Sequence, residues 1–110
     1  MKKLIAYRNY FGDFLEKLTT QERVKILQSL DLLSTSDMIP AHYIKYIRNG
    51  VYEFRITYMR VEYRIFFFYD GDTIVVLLNS FKKKSRKTPE DEISKAIKLK
   101  EDYYEAKGNQ

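Results

Sequence analysis

Arg55 and Arg64 lie in two aromatic, alternating segments, Tyr52-Glu53-Phe54-Arg55-Ile56 and Tyr63-Arg64-Ile65-Phe66-Phe67-Phe68. A guanidinium offers a planar fork of N–H donors that can grip a phosphate bidentately. Two of them can also stabilise charge that develops as the phosphate reacts. A third, apolar segment then runs from Thr73 to Ser80 into Phe81-Lys82-Lys83-Lys84-Ser85-Arg86-Lys87. Residues 82–87 hold five of the twenty lysines and arginines and no acid. Cations concentrated beside arginine-bearing strands suit a polyanion, with RNA as the leading candidate. Seven phosphate contacts, from Arg55, Arg64, Lys82, Lys83, Lys84, Arg86 and Lys87, set an upper bound of about −5 on the log–log salt slope for single-stranded RNA.

The competing reading is structural. Strand arginines beside glutamates commonly form ion pairs, here with Glu53, Glu62 or the C-terminal helix, and a charged run at a strand end can be a solvated loop. A proton carrier is less conspicuous. His42 is the one histidine, and imidazole is the side chain that ordinarily titrates near neutrality, but it follows Pro40 in an edge segment. Tyr52, Tyr58 and Tyr63 read as core. Glu53 and Glu62 can serve as bases if aimed at a ribose 2′-hydroxyl, with a neighbouring arginine keeping them ionised. The chain carries no phosphate-cradling glycine loop, nucleophile elbow or metal-ligand spacing.

These residues need a sheet to position them. Leu4–Tyr7 predicts a short strand and Tyr10–Leu18 an amphipathic helix. Thr19 and Glu22 form a capping box for a second helix, with Val24, Ile26, Leu27, Leu30 and Leu33 as its apolar stripe. From His42 the period becomes two: an edge strand at 42–47, the Asn49-Gly50 turn, then a hairpin of Val51–Tyr58 and Val61–Tyr69. A tight turn at Met59-Arg60 sets Arg55 opposite Arg64. Like charges so opposed are destabilising, and the diagonal Glu53 and Glu62, or a bound phosphate, would compensate them. A three-residue loop at Asp70-Gly71-Asp72 brings Ser80 and Lys82 to the same face. The unbroken apolar run Ile74–Leu78 marks Thr73–Phe81 as covered on both faces. Thr88 and Pro89 open the last helix, with Glu90, Asp91 and Glu92 at the positive end of its dipole.

A chain of 110 residues, 45% hydrophobic, implies one domain over 1–110 with a single core. The formal charge of +5 fits nucleic acid or an acidic protein partner. Without cysteine there are no disulfides or thiolate metal sites, which fits a reducing compartment. No apolar run reaches the ~20 residues of a membrane span, and no signal-peptide core is visible. The expectation is a cytoplasmic protein with no membrane association.

At the arginine-bearing strands the sequence resembles the RelE/HigB-like toxin family of bacterial type II toxin–antitoxin systems, particularly its phage-derived branch. The resemblance rests on Asn49-Gly50-Val51-Tyr52-Glu53-Phe54-Arg55, Tyr63-Arg64-Ile65-Phe66-Phe67, Val76-Leu77-Leu78-Asn79-Ser80-Phe81-Lys82-Lys83, and Lys87-Thr88-Pro89 followed by Glu92-Ile93 and Ala96. It implies an α+β, RelE-like fold, with two N-terminal helices and a C-terminal helix packed on one side of a twisted, mostly antiparallel sheet of about four strands. It also implies a concave basic face for RNA. The implied activity is ribosome-dependent, metal-independent and cofactor-free cleavage of mRNA by attack of the 2′-hydroxyl on the adjacent phosphate. Arg64 and then Arg55 match the family's phosphate-binding positions. Lys82, Lys83, Lys84, Arg86 and Lys87 match its basic region by location. Relatives place a tyrosine, aspartate or histidine near the end of the last strand to move the proton. This chain has lysines, Ser85 and Thr88 there, which leaves Glu53, Glu62 or a lysine such as Lys84, the last acting by electrostatics. The implied partners are an antitoxin from the adjacent gene and mRNA on the ribosome. A gyrase-poisoning ParE-like toxin and a non-catalytic basic binding module are the alternatives.

Overall fold

A computed structural model describes residues 1–84 and 86–108; Ser85 lies outside them. Among these residues the chain forms β1 (Lys3–Ala6), α1 (Tyr10–Glu16), α2 (Thr20–Thr35), a 3₁₀ turn (Ala41–Tyr43), β2 (Ile44–Arg48), β3 (Val51–Tyr58), β4 (Val61–Asp70), β5 (Ile74–Lys83) and α3 (Glu90–Gly108). The α+β class holds, but the sheet is mixed and has five strands rather than about four, in the order β1-β5-β4-β3-β2. β1 adds parallel to β5, pairing Lys3 with Ile74 through Ala6 with Leu77. The intervening α1 and α2 supply the crossover that a parallel pair requires.

The helices flank the sheet instead of sharing one side. Phe11, Phe14, Ile26, Leu30 and Leu33 from α1 and α2 pack with Phe54, Ile56, Tyr63, Ile65 and Phe67. Ile93, Ala96 and Leu99 of α3 pack with Val51, Phe66, Phe68, Val76 and Leu78 on the opposite face. Apolar residues therefore occupy both faces of β4 and β5, as the unbroken run in β5 anticipates. The alternation of β3 and β4 forces this arrangement, because Phe66 and Phe68 point away from Ile65 and Phe67. Full burial of one phenylalanine contributes about 1.5–3 kcal/mol.

Local signals behave as chemistry dictates, with two exceptions. The Thr19/Glu22 capping box forms with both reciprocal bonds present. On α2, Ile26, Leu30 and Leu33 are buried, whereas Val24 and Leu27 stand about half exposed, so the apolar stripe is narrower than its sequence suggests. At α3 the hydroxyl of Thr88 donates to Glu53 Oε2 at 2.6 Å, and the Pro89 carbonyl accepts from the amides of Glu92 and Ile93. The Thr88 proton is thus directed into the sheet, and the helix begins at Glu90. Asn49 and Gly50 both take positive φ, as do Met59 and Arg60. Each pair forms the two-residue hairpin turn whose twist matches the flanking strands.

Candidate nucleic-acid interface

Pairing runs Tyr58↔Val61, Arg55↔Arg64 and Tyr52↔Phe67, the register the turn residues predict. β4 and β5 depart from a simple hairpin. Phe67 pairs with Leu77 but Ile65 pairs with Ser80, so Phe66 faces two residues, Leu78 and Asn79. This bulge shifts the parity of everything beyond it. Phe81 becomes the partner of Arg64 and Lys83 the partner of Glu62. The expected placement of Ser80 and Lys82 on the Arg64 face is therefore reversed. Lys82 turns to the α1/α2 face, where its Nζ lies 3.0 Å from Glu22 Oε2 and 5.8 Å from the centre of the Tyr63 ring.

Both edge strands stop short of this end of the sheet. β2 pairs with β3 only as far as Phe54, and β1 with β5 only as far as Leu77. A cleft opens on each side of the protruding β3-β4-β5 end. The first, about 490 Å³, is walled by Arg55, Glu62, Arg64, Lys83 and Arg86, with Lys25, His42 and Tyr43 closing it from α2 and the 3₁₀ turn. A smaller hollow of about 280 Å³ shares Arg55, Lys83 and Arg86 and extends to Lys87 and Thr88. Lys82 and Lys84 line the other cleft. The structure thus brings Arg55, Arg64, Lys83, Arg86 and Lys87 to one basin and separates Lys82 and Lys84 from it. Of the lysines expected beside the arginines, alternation delivers Lys83.

Beneath the arginines lies Glu53, fully buried. Its Oε1 is 3.2 Å from Arg55 Nε and 3.4 Å from Arg64 Nε. Those contacts are close enough for strong Coulomb attraction but are not aligned as hydrogen bonds, and all three atoms lack a hydrogen-bond partner among the described residues. Arg64 is 3% exposed and also donates to Glu62 Oε1 at 3.2 Å and to the Tyr63 carbonyl at 3.2 Å. Arg55 is 33% exposed. The like-charge pair is therefore compensated by both glutamates, Glu53 across the diagonal to Arg64 and along its own strand to Arg55, and Glu62 along its own strand to Arg64. Arg64 is anchored in the wall, and Arg55 is the guanidinium a ligand can reach. Glu53 has its carboxylate enclosed by the two arginines and Thr88, which removes it as a base for a solvent-borne ribose. Glu62, half exposed and at the cleft, retains that capacity.

A second polar cluster supports the basin from the other face. Tyr63 donates its hydroxyl to Glu22 Oε2, and Lys82 pairs with the same oxygen. The Thr19 backbone amide, Tyr63 and Lys82 together hold the Glu22 carboxyl down to about 2, while burial and that carboxylate push the Tyr63 phenol up. Tyr63 is therefore a buried structural phenol, as its place on the core face implies. Sequence reasoning set His42 in an edge segment and did not single out Lys25, and both line the arginine cleft. Nothing in the period of α2 marks Lys25, and only the tertiary path of the 3₁₀ turn carries His42 to the arginines. Among the described residues no three histidine or carboxylate side chains converge as a metal-ligand set. Nor is any helix among them long and apolar enough to cross a membrane.

Comparison with curated proteins gives no match. The family model described as phage derived protein Gp49-like (DUF891) matches residues 13–101, from within α1 into α3, and the chain belongs to that family.

Proposed function

We propose that the chain is the toxin of a type II toxin–antitoxin pair, a RelE/HigB-like endoribonuclease that cuts mRNA on the ribosome. The observation that carries this reading is the convergence of Arg55, Lys83 and Arg86 on one open cleft whose walls also hold His42 and Glu62. Membership of a phage-derived family and the arginine-bearing strand motifs support it. In this reading Arg55, Lys83 and Arg86 grip the scissile phosphate and offset its growing charge. Glu62 and His42 are the side chains available to take the 2′-hydroxyl proton and to return one to the departing 5′-oxygen. The products are a 2′,3′-cyclic phosphate and a 5′-hydroxyl. Ribosome dependence follows because the ribosome would supply the alignment of 2′-oxygen, phosphorus and 5′-oxygen that this small cleft does not impose. The partner is an antitoxin from the neighbouring gene, acidic where it covers the basin.

Primer extension on a defined mRNA in a purified bacterial translation reaction, with and without ribosomes, tests this. Arg55→Ala is the informative variant, because Arg55 reaches the cleft, whereas Arg64 is 3% exposed and its truncation would chiefly leave a void in the wall. Ribosome-dependent cuts should fall by roughly 10²–10³ in the variant, the loss usual for one transition-state donor. RNA affinity should fall only a few-fold. A parallel loss of both would favour a docking module. Intact translation with no cuts would put docking and gyrase poisoning ahead of cleavage.

A further inference from the structure

The cleft on the β1 side of the sheet end is the larger, about 640 Å³, and takes no part in the proposed chemistry. Its floor is the open edge of β5, where Asn79 is 2% exposed. Asn79 Nδ2 donates to the Glu92 carbonyl at 3.0 Å and to Glu92 Oε1 at 3.2 Å. A backbone carbonyl can only accept, so the amide orientation is fixed and Oδ1 is the end left over. Asn79 Oδ1 and Ser80 Oγ are both buried without a hydrogen-bond partner among the described residues. A buried acceptor left without a donor is costly, and both residues line the cleft, which marks a place where a ligand donor is wanted. Tyr10 and Phe81 form the aromatic walls of this cleft. Lys17, Lys84 and Lys95 stand around it and form no salt bridge among the described residues, while Lys95 Nζ lies 4.4 Å from the centre of the Tyr10 ring. Asp13 and Glu92 also line the cleft; Glu92 is engaged with Asn79, and the lysines outnumber the acids.

A flat ring beside aromatic walls, an N–H donor for the floor and an anion for the lysines together describe a nucleotide. We infer that the cleft between α1, the open edge of β5 and α3 binds one nucleotide: its base against Tyr10 and Phe81, an exocyclic amine donating to Asn79 Oδ1, and its phosphate at Lys17, Lys84 and Lys95. Adenine and cytosine present that amine; uracil presents an acceptor in its place. The ligand is either a free nucleotide or a second nucleotide of an RNA strand that crosses the sheet end from the arginine cleft. The latter source deepens the proposed ribonuclease reading.

The test is an NMR titration of the full chain with AMP, CMP, UMP, inorganic phosphate and a short single-stranded RNA. AMP or CMP should move the Asn79 side-chain amide and the Tyr10 and Phe81 ring signals, independently of any response to the phosphate at Arg55 and Lys83. UMP should bind about fivefold more weakly, the value of one hydrogen bond. Lys84→Glu with Lys95→Glu should weaken the nucleotide by on the order of tenfold or more, with the melting temperature retained as the check on folding. If RNA and mononucleotides both move these signals, the site belongs to an RNA strand; if mononucleotides alone do, the ligand is a free nucleotide. Equal responses to UMP and AMP, or to phosphate alone, would overturn the base-reading site. No movement at Asn79 with any ligand would overturn it altogether. Because the signals are read without turnover, failure of mRNA cleavage leaves this result interpretable.

Discussion

Glu53→Gln should be the most damaging isosteric change in the molecule. The carboxylate is fully buried between two guanidiniums, and replacing it leaves Arg64, itself 3% exposed, with the half-exposed Glu62 as its remaining carboxylate and the Tyr63 carbonyl as a neutral acceptor. Stranding one member of a buried ion pair costs about 3–5 kcal/mol. The Arg55 half of the contact is partly screened by solvent, and Glu62 recovers some of the loss, so about 3 kcal/mol is expected. For 110 residues the unfolding entropy is roughly 0.23 kcal/mol/K, which converts that figure to a fall of about 13 °C in melting temperature. Glu62→Gln removes only an exposed partner and should cost under about 1 kcal/mol, or about 4 °C. Thermal melts followed by circular dichroism read both. Adding Arg64→Met to Glu53→Gln should cost less than the sum of the two single changes, because the stranded charge is gone. Equal shifts for the two glutamine variants, or strict additivity in the double, would refute the view that Glu53 holds the arginine pair.

Glu22 is held down to about 2 by the Thr19 amide, Tyr63 and Lys82, against an ordinary value of 4.5. A carboxyl depressed on folding stabilises above its unfolded value, so stability should decline as pH falls from about 4.5 toward 2, and Glu22→Gln should flatten that part of a denaturant-midpoint profile. Single-stranded RNA binding through Arg55, Lys83, Arg86 and Lys87 alone should show a log–log salt slope near −3 by fluorescence anisotropy, whereas a slope near zero would remove the phosphate-binding basin. Asp70 accepts from Tyr103 at 2.6 Å and from Lys107 at 2.7 Å. That carboxylate, with burial, pushes the Tyr103 phenol up to about 12. Asp70→Asn should therefore raise phenolate absorbance between pH 10 and 12 and loosen the C-terminal end of α3; an unchanged alkaline titration would contradict the contact.

Local chemistry was legible in the sequence. Thr19 and Glu22 specify their capping box within four residues, and Asn49-Gly50 and the two-residue turn at Met59-Arg60 fix the β2–β3 and β3–β4 hairpins. Because the side-chain period of a strand is two, the second turn determines that Arg55 faces Arg64 and that Glu53 and Glu62 lie diagonally to them. The long range was not legible. Whether α3 shares a side with α1 and α2 depends on which face of β4 remains uncovered, and both faces are apolar.

The sequence by itself determined the strands, the Thr19 cap, the arginine pair and the concentration of cations after β5, since each follows from residues within a few positions of one another. Tertiary structure decided which cations join the arginines. One extra residue opposite Phe66 inverts the alternation of β5, sends Lys83 to the arginine cleft and Lys82 away from it, and no local pattern announces the bulge. Tertiary structure also decided that Glu53 is buried beneath the pair and that His42 reaches the cleft. Burial and convergence depend on what the rest of the chain places alongside, and that is settled only when the sheet is assembled between its two helical layers.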